Sequence, residues 1–331
     1  MKKKAADLAL AGAEKMYGYS VRAVHWGFRR GILKKHRLPV KVVSVGNLTW
    51  GGTGKTPLVI HLAQALQSHG RRVAVLTRGY GQDESKLMTE RLAPIPVLVG
   101  PDRVVTGAQA VREHGADLLL LDDGYQQWRL QKDFEILTAD AETPFGNGRL
   151  IPRGTLREPP AAAARADLIV LKGNASAGAQ AQMKMKQLNP GAPIFFMTYK
   201  PHRMRRWPDG KAVPLKDLKG RKVCTIAGIG DPKQFEQMVV SLEADIRIRH
   251  RARDHHRYTA GELIRLVSRC RRHGVRTVVT TEKDAIRIPK IFRETAGRKL
   301  EETEFWVIEI KPGFEPDESE LLHRIHTVLA R

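Results

Sequence analysis

Gly54, Lys55 and Thr56 close the stretch "GNLTWGGTGKTP" at residues 46–57. A glycine-rich turn that opens a helix lets backbone N–H groups approach a phosphate. A lysine then adds charge and a hydroxyl adds an oxygen for a metal, which is the logic of the P-loop. That pattern asks for a glycine five residues before Gly54, and Thr49 stands there. Gly51, Gly52 and Gly54 still leave the backbone open to phosphate. The candidate cradle is Thr49, Trp50, Gly51, Gly52, Thr53, Gly54, Lys55 and Thr56. Lys55 is expected to reach the β- and γ-phosphates, and Thr56 to face Mg²⁺.

Four further stretches carry groups that could share in such chemistry. Asp122 and Asp123 end the apolar run "LLLLDDG", where a P-loop protein places its second magnesium handle. In "RDHHRYT" (253–259), His255 and His256 are adjacent and would face opposite ways on a strand, so they do not chelate one metal together. Residue type alone favours a structural or surface histidine there. Asp83 and Glu84 follow a glycine-rich turn in "RGYGQDESKL", a weak signal by itself. Arg153, Arg157 and Glu158 lie in the proline-bounded loop "IPRGTLREP", which suits either phosphate contact or plain surface.

The elements that must position these residues are legible as alternation. Near-continuous apolar runs at 41–47, 72–79, 95–100, 116–124, 134–140 and 166–173 read as buried parallel strands, and 55–69 as a helix between the first two. The fold class is therefore α/β, a P-loop NTPase-like parallel sheet with helices on both faces. Ligands of such sheets bind at the carboxyl ends of the strands, where "GNLTWGGTGKTP", "RGYG" and "DDG" sit. A polar, basic, proline- and glycine-containing stretch at 199–220 interrupts the pattern. Strands at 222–230, 246–252, 277–285 and 305–310 and helices at 232–243, 259–273 and from about 319 then suggest a second, smaller α/β domain. The expected division is 1–37, 38–200, 201–221 as linker, and 222–331.

The chain has 331 residues with 57 Lys and Arg against 35 Asp and Glu, a formal charge of +22. Such a balance points to anionic partners. Residues 1–37 hold ten Lys or Arg and two acids, with Leu10, Ala13, Tyr17, Val21, Val24, Phe28 and Ile32 at helical spacing. This predicts a basic amphipathic helix suited to an anionic membrane surface; charges interrupt it too often for a membrane span. Cys224 and Cys270 form no metal or redox motif and are expected to be reduced thiols. No nucleic-acid-binding signature accompanies the charge, and nothing calls for an obligatory protein partner.

With its motifs in order, the chain resembles the tetraacyldisaccharide 4′-kinase (lipid A 4′-kinase) family over nearly its whole length. The carriers are "VGNLTWGGTGKTP", "TRGYG", "LLLLDDGYQQ", "FGNGRLIPRGTLREP", "AGIGDPKQF", "DHHRYT" and "TTEKDA". The resemblance implies transfer of the γ-phosphoryl group of ATP, with Mg²⁺, to the 4′-hydroxyl of a lipid-anchored disaccharide 1-phosphate, giving lipid IVA. It implies work at the cytoplasmic face of a Gram-negative inner membrane, a P-loop core, and a second α/β domain with the active site in the cleft. By position, Lys55 and Thr56 become the P-loop pair, and Asp122, Asp123 and Glu158 the acids near Mg²⁺. Arg78, Arg103 and Arg157 become contacts to the substrate. The family's catalytic acid falls on Asp83 of "QDES", and its partner on His255 beside Asp254. Asp83 would accept the hydroxyl proton with His255 hydrogen-bonded to it. The chain departs from the family in that a single residue separates Gly81 from Asp83, and Gln82 and Ser85 replace a glycine and a proline. A ParA/MinD-like switch ATPase is the alternative; such proteins carry a signature lysine where Trp50 stands here.

Overall fold

Branched and aliphatic side chains fill β1 (Lys41–Asn47), β2 (Val73–Thr77), β4 (Leu118–Asp122), β5 (Phe134–Asp140) and β6 (Leu168–Lys172), and almost all of them are buried. A strand can be apolar on both sides only if both faces of its sheet are covered. In the computed structural model, which describes residues 2–79, 82–289, 291–292 and 303–330, the chain divides into two compact units. The first comprises residues 1–80, 88–198 and 312–331, and the second residues 81–87 and 199–311. The second unit thus takes in a short piece of chain around Asp83, and the C-terminal helix belongs to the first.

In the first unit the strand order is β7–β6–β5–β1–β4–β2–β3, with β3 at Val97–Val99 and β7 starting at Ile194. Its ladders are parallel. Strand β1 lies between β4 and β5, so its carboxyl end is flanked by theirs. The register pairs Val45 with Asp122 and Asn47 with Thr138. Helix α2 (Lys55–Ser68) buries Leu58, Leu62 and Leu66 completely. Truncating any one of these to alanine is expected to cost about 2–5 kcal/mol. Helices α4 (Arg103–His114), α5 (Ala179–Leu188) and α9 (Glu318–Leu329) complete this unit's helical cover.

Helix α1 (Lys2–Arg29) forms as its periodicity predicts, but the packed stripe is rotated from the expected one. Glu14, Tyr17, Gly18, Val21, His25 and Phe28 turn inward, while Leu8, Met16, Tyr19 and Trp26 are 56% exposed or more. Gly18 leaves room for Leu150, and His25 and Phe28 pack on Trp128. Polar groups chose this stripe: Glu14 accepts from the Leu150 amide at 3.0 Å, and Tyr17 donates to the Arg157 carbonyl at 2.8 Å. No helix among the described residues is long and apolar enough to cross a membrane.

The second unit holds β9 (Lys222–Ala227), β10 (Asp245–Arg251), β11 (Thr277–Thr281) and β12 (Glu304–Glu315) in the order β10–β9–β11–β12, with the later part of β7 beside β12. The stretch 201–221, expected as the linker, contains ordered β structure. Strand β7 continues to Trp207 and pairs with β8 (Ala212–Val213), and Arg203 and Arg205 both engage the buried Glu309. Helices α6 (Pro232–Ser241) and α7 (Ala260–Arg272) flank the sheet strands in sequence as predicted. The run 277–285, expected as strand throughout, breaks at Thr281, whose side chain caps the short helix α8 (Glu282–Ala285). Cys224 and Cys270 are free and buried in this unit's core.

Candidate active site

The expected site residues gather in two clusters, one in each unit. In the first, β1 ends at Asn47 and α2 starts at Lys55. Gly54 caps α2 with φ 85°, a left-handed conformation that only glycine adopts cheaply. Gly46 is needed for a different reason: a Cβ there would lie 2.5 Å from the Tyr125 backbone nitrogen. The loop is held from within. Asn47 Nδ2 donates to Thr53 Oγ1 at 2.8 Å, Thr53 meets Thr138 at 2.8 Å, and Lys172 Nζ donates to the Gly52 carbonyl at 3.2 Å. Thr49, where the motif asks for glycine, is buried and bridges to Leu156. Trp50 is 72% exposed, although its amide donates to the Thr155 carbonyl at 2.6 Å.

The pairing of Val45 with Asp122 brings the acidic pair beside this loop. Asp122 is buried and accepts from the Thr77 hydroxyl at 3.2 Å. Asp123 faces the loop's cation, with Lys55 Nζ 3.6 Å from Oδ1. Arg157 grips the same carboxylate with two nitrogens, at 2.9 and 2.8 Å, and also donates to the Asn47 carbonyl at 3.0 Å and to its side-chain oxygen. Burial opposes ionisation of Asp123, but the Arg157 hydrogen bonds and the Lys55 charge prevail and hold its carboxyl below the usual carboxylate range. Asp123 adopts φ 54°, uncommon for a residue with a Cβ and concentrated at functional positions.

The other expected residues of this unit divide by access. Arg103 is almost fully buried; it donates to the Gly100 carbonyl and, at 3.5 Å, to the Asp122 carbonyl, so it braces the acidic turn. Arg78 is exposed just beyond β2. Glu158 has both oxygens engaged: Arg165 donates to each at 2.8 Å, Gln126 to Oε1 at 2.7 Å, and His25 lies 3.0 Å from Oε2. Burial alone would raise its carboxyl; the bonds from His25, Arg165 and Gln126 outweigh that and bring it down to about 2. Glu158, expected near Mg²⁺, is so occupied that it anchors the loop that carries Arg157. Thr56, Asp122 and Asp123 remain as hard oxygen donors of the kind that suit Mg²⁺. Tyr80 and Gly81 of the "TRGYG" turn lie outside the described residues.

The second cluster is built around Arg287. Asp83, expected in a loop, is in the first turn of α3 (Gln82–Leu92), where the helix dipole favours its charge. His255 stands at φ 61°, with its amide 3.2 Å from the Gly228 carbonyl. The two side chains do come together, but Asp83 Oδ2 and His255 Nδ1 are 3.7 Å apart, too far for the direct hydrogen bond expected between them. Arg287 spans them: Nε donates to Asp83 Oδ2 at 2.8 Å, and Nη2 lies 3.2 Å from His255 Nδ1. Burial works to raise the Asp83 carboxyl, but the hydrogen bond and charge of Arg287 bring it below its ordinary value. His256 turns away and meets Glu262 at 2.9 Å.

Arg287 was not singled out by the sequence, and its signal is slight. Thr281 and Asp284 form a T-x-x-D capping pattern, with Thr281 Oγ1 2.7 Å from Asp284 Oδ2, and the turn it starts delivers Arg287 three residues later. Asn47, Gln126 and Arg165 were also missed, because their roles depend on partners distant in sequence.

Known proteins resemble this chain over most of its length. A family model described as tetraacyldisaccharide-1-P 4′-kinase (LpxK) matches residues 6–86 and 82–330. A tetraacyldisaccharide 4′-kinase of Syntrophus aciditrophicus is 39% identical over 294 residues, 79% of each chain. One from Chromobacterium violaceum is 34% identical and covers 96% of this chain and 94% of its own. The crystal structure of LpxK from Aquifex aeolicus in complex with ATP superposes with a TM-score of 0.73 at 27% identity, covering 97% of this chain and 98% of that one. These matches do not favour the switch-ATPase alternative. The chain belongs to the tetraacyldisaccharide-1-P 4′-kinase family.

Proposed function

We propose that this chain transfers the γ-phosphoryl group of ATP to the 4′-hydroxyl of a lipid-anchored tetraacyldisaccharide 1-phosphate. The observation that carries the reading is the presence, in one member of this family, of a P-loop braced onto Asp123 and of an ionised acid, Asp83, beside His255. Phosphoryl transfer needs positioning and charge neutralisation more than covalent chemistry. The loop amides from Gly51 to Thr56 bind the phosphates, and Lys55 places its charge on them. Thr56, Asp122 and Asp123 are the residues that would hold Mg²⁺, whose charge neutralises the phosphate oxygens when bound. Arg157 orients Asp123, and Arg78 is the exposed cation for the anionic substrate. Asp83 accepts the proton of the attacking hydroxyl, with His255 beside it.

The lipid substrate calls for an anionic membrane surface, and α1 supports peripheral attachment to one. Its exposed Leu8, Met16, Tyr19 and Trp26 sit among exposed Arg22, Arg29 and Arg30, a composition suited to the headgroup boundary. The cytoplasmic face of an inner membrane is the location this reading implies.

Asp83→Ala and His255→Ala test the site. Removing a positioned acid or base lowers turnover by about 10²–10⁴-fold. Each variant is expected to lose kcat on that scale with KM for ATP little changed, and near-normal turnover in both would refute the assignment.

A further inference from the structure

A guanidinium has five N–H donors and no acceptor, so whatever Arg287 touches must accept. Three of its nitrogens are committed. Nε is on Asp83 Oδ2 at 2.8 Å, Nη1 on the Gly228 carbonyl at 2.7 Å, and Nη2 on His255 Nδ1 at 3.2 Å. The last contact requires a lone pair on Nδ1, which places the proton of a neutral imidazole on Nε2. Asp254 Oδ2, 3.8 Å from Nε2, lies on the side where that proton points.

We infer that Arg287 is a positioning residue that holds His255 as the neutral Nε2–H tautomer and Asp83 as the carboxylate, leaving two unprotonated acceptors facing one fixed cation. This rests on the reading of Asp83 as the proton acceptor. The cation is fixed because it is buried and anchored from behind. Asp284 Oδ1 lies 3.5 Å from Nη1 and is itself held by the Tyr258 hydroxyl at 3.1 Å and the Gly228 amide at 3.0 Å. The remaining charges nearby are mutually engaged: Lys283 meets Glu84 at 2.8 Å and Asp254 at 4.0 Å. Without Arg287, no other side chain among the described residues donates to Nδ1, and the carboxylate 3.7 Å away would draw a proton onto it. An Nδ1–H···Asp83 bond would then occupy the carboxylate that must receive the substrate's proton. Arg287 thus keeps the acid and the histidine adjacent but unbonded.

The test is ¹⁵N NMR of histidine-labelled full-length protein at neutral pH, with Arg287→Met, which has similar length and no donor, and Arg287→Lys, which keeps a donor. Wild-type His255 is expected to show the Nε2–H pattern, and Arg287→Met the Nδ1–H pattern with kcat at least tenfold lower and KM for ATP unchanged. Arg287→Lys is expected to retain the wild-type tautomer. An Nδ1–H signature in wild type, or an unchanged tautomer in Arg287→Met, overturns the inference. The wild-type spectrum decides even if a variant fails to fold, and it needs no activity, so this inference and the kinase assignment fail separately.

Discussion

Arg157 holds Asp123 through two parallel contacts, at 2.9 and 2.8 Å, while Lys55 approaches the same carboxylate to 3.6 Å. The P-loop cation and the clamp on the acidic turn therefore share one residue. The fork geometry matters here, because a lysine offers a point charge with no planar pair of donors. Arg157→Lys is expected to lower kcat by about 10–100-fold, the usual cost of losing a partner that orients a site ligand. Steady-state kinetics at saturating ATP reads this directly; a change confined to KM would show that Arg157 only binds.

Glu158 gives a pH dependence of stability. Its carboxyl lies at about 2 in the folded protein against an ordinary 4.5. A depressed carboxylate contributes stability that is fully present above the unfolded value and is lost as pH falls through the folded one. The window therefore runs from about pH 4.5 down to about pH 2, and the contribution is about 3 kcal/mol. Glu158→Gln is expected to destabilise the first unit by about that amount at neutral pH and to flatten its stability profile across the window. Denaturant unfolding at a series of pH values checks it; a parallel, unflattened profile would remove Glu158 as the cause.

Much of this was legible in the sequence, and the reason is locality. The P-loop lies within twelve consecutive residues, and the apolar runs of β1 and β4 announce strands that bring Asp122 and Asp123 to it. The rest depended on contacts the chain makes far from itself. Glu158 was placed near Mg²⁺ only by the family resemblance; its partners in the fold, His25, Gln126 and Arg165, come from three other segments. "QDES" read as loop because a glycine turn precedes it, yet Asp83 and Glu84 are favourable first-turn helix residues. Arg287 had no periodicity to mark it, and only the folded turn after Thr281 shows where it points.

Gly46 lies near the end of β1 against the Tyr125 backbone, where an added Cβ has no flexible neighbour to displace. Gly46→Ala is expected to destabilise the protein by about 1–3 kcal/mol, as overpacking does. It should also weaken ATP binding, since the candidate phosphate cradle starts three residues later, at Thr49. Thermal unfolding with and without ATP separates the two effects; wild-type stability and binding would show that the strand can shift at no cost.

Helix α1 exposes Leu8, Met16 and Trp26 among basic residues. Replacing the three by serine is expected to weaken binding to vesicles containing anionic lipid by at least about tenfold, each large apolar side chain being worth roughly 1 kcal/mol or more when only partly inserted. Vesicle sedimentation at low and high salt measures it. Unchanged binding would assign attachment to charge alone.

The most direct test of the account follows the γ-phosphoryl group itself. The full-length protein is incubated with γ-labelled ATP, Mg²⁺ and tetraacyldisaccharide 1-phosphate in detergent, and the lipid is examined by ³¹P NMR and mass spectrometry. The predicted result is a lipid bisphosphate whose labelled phosphomonoester sits on the 4′-oxygen, with no product from Lys55→Ala. Label found only as inorganic phosphate, or at another position of the sugar, would contradict it.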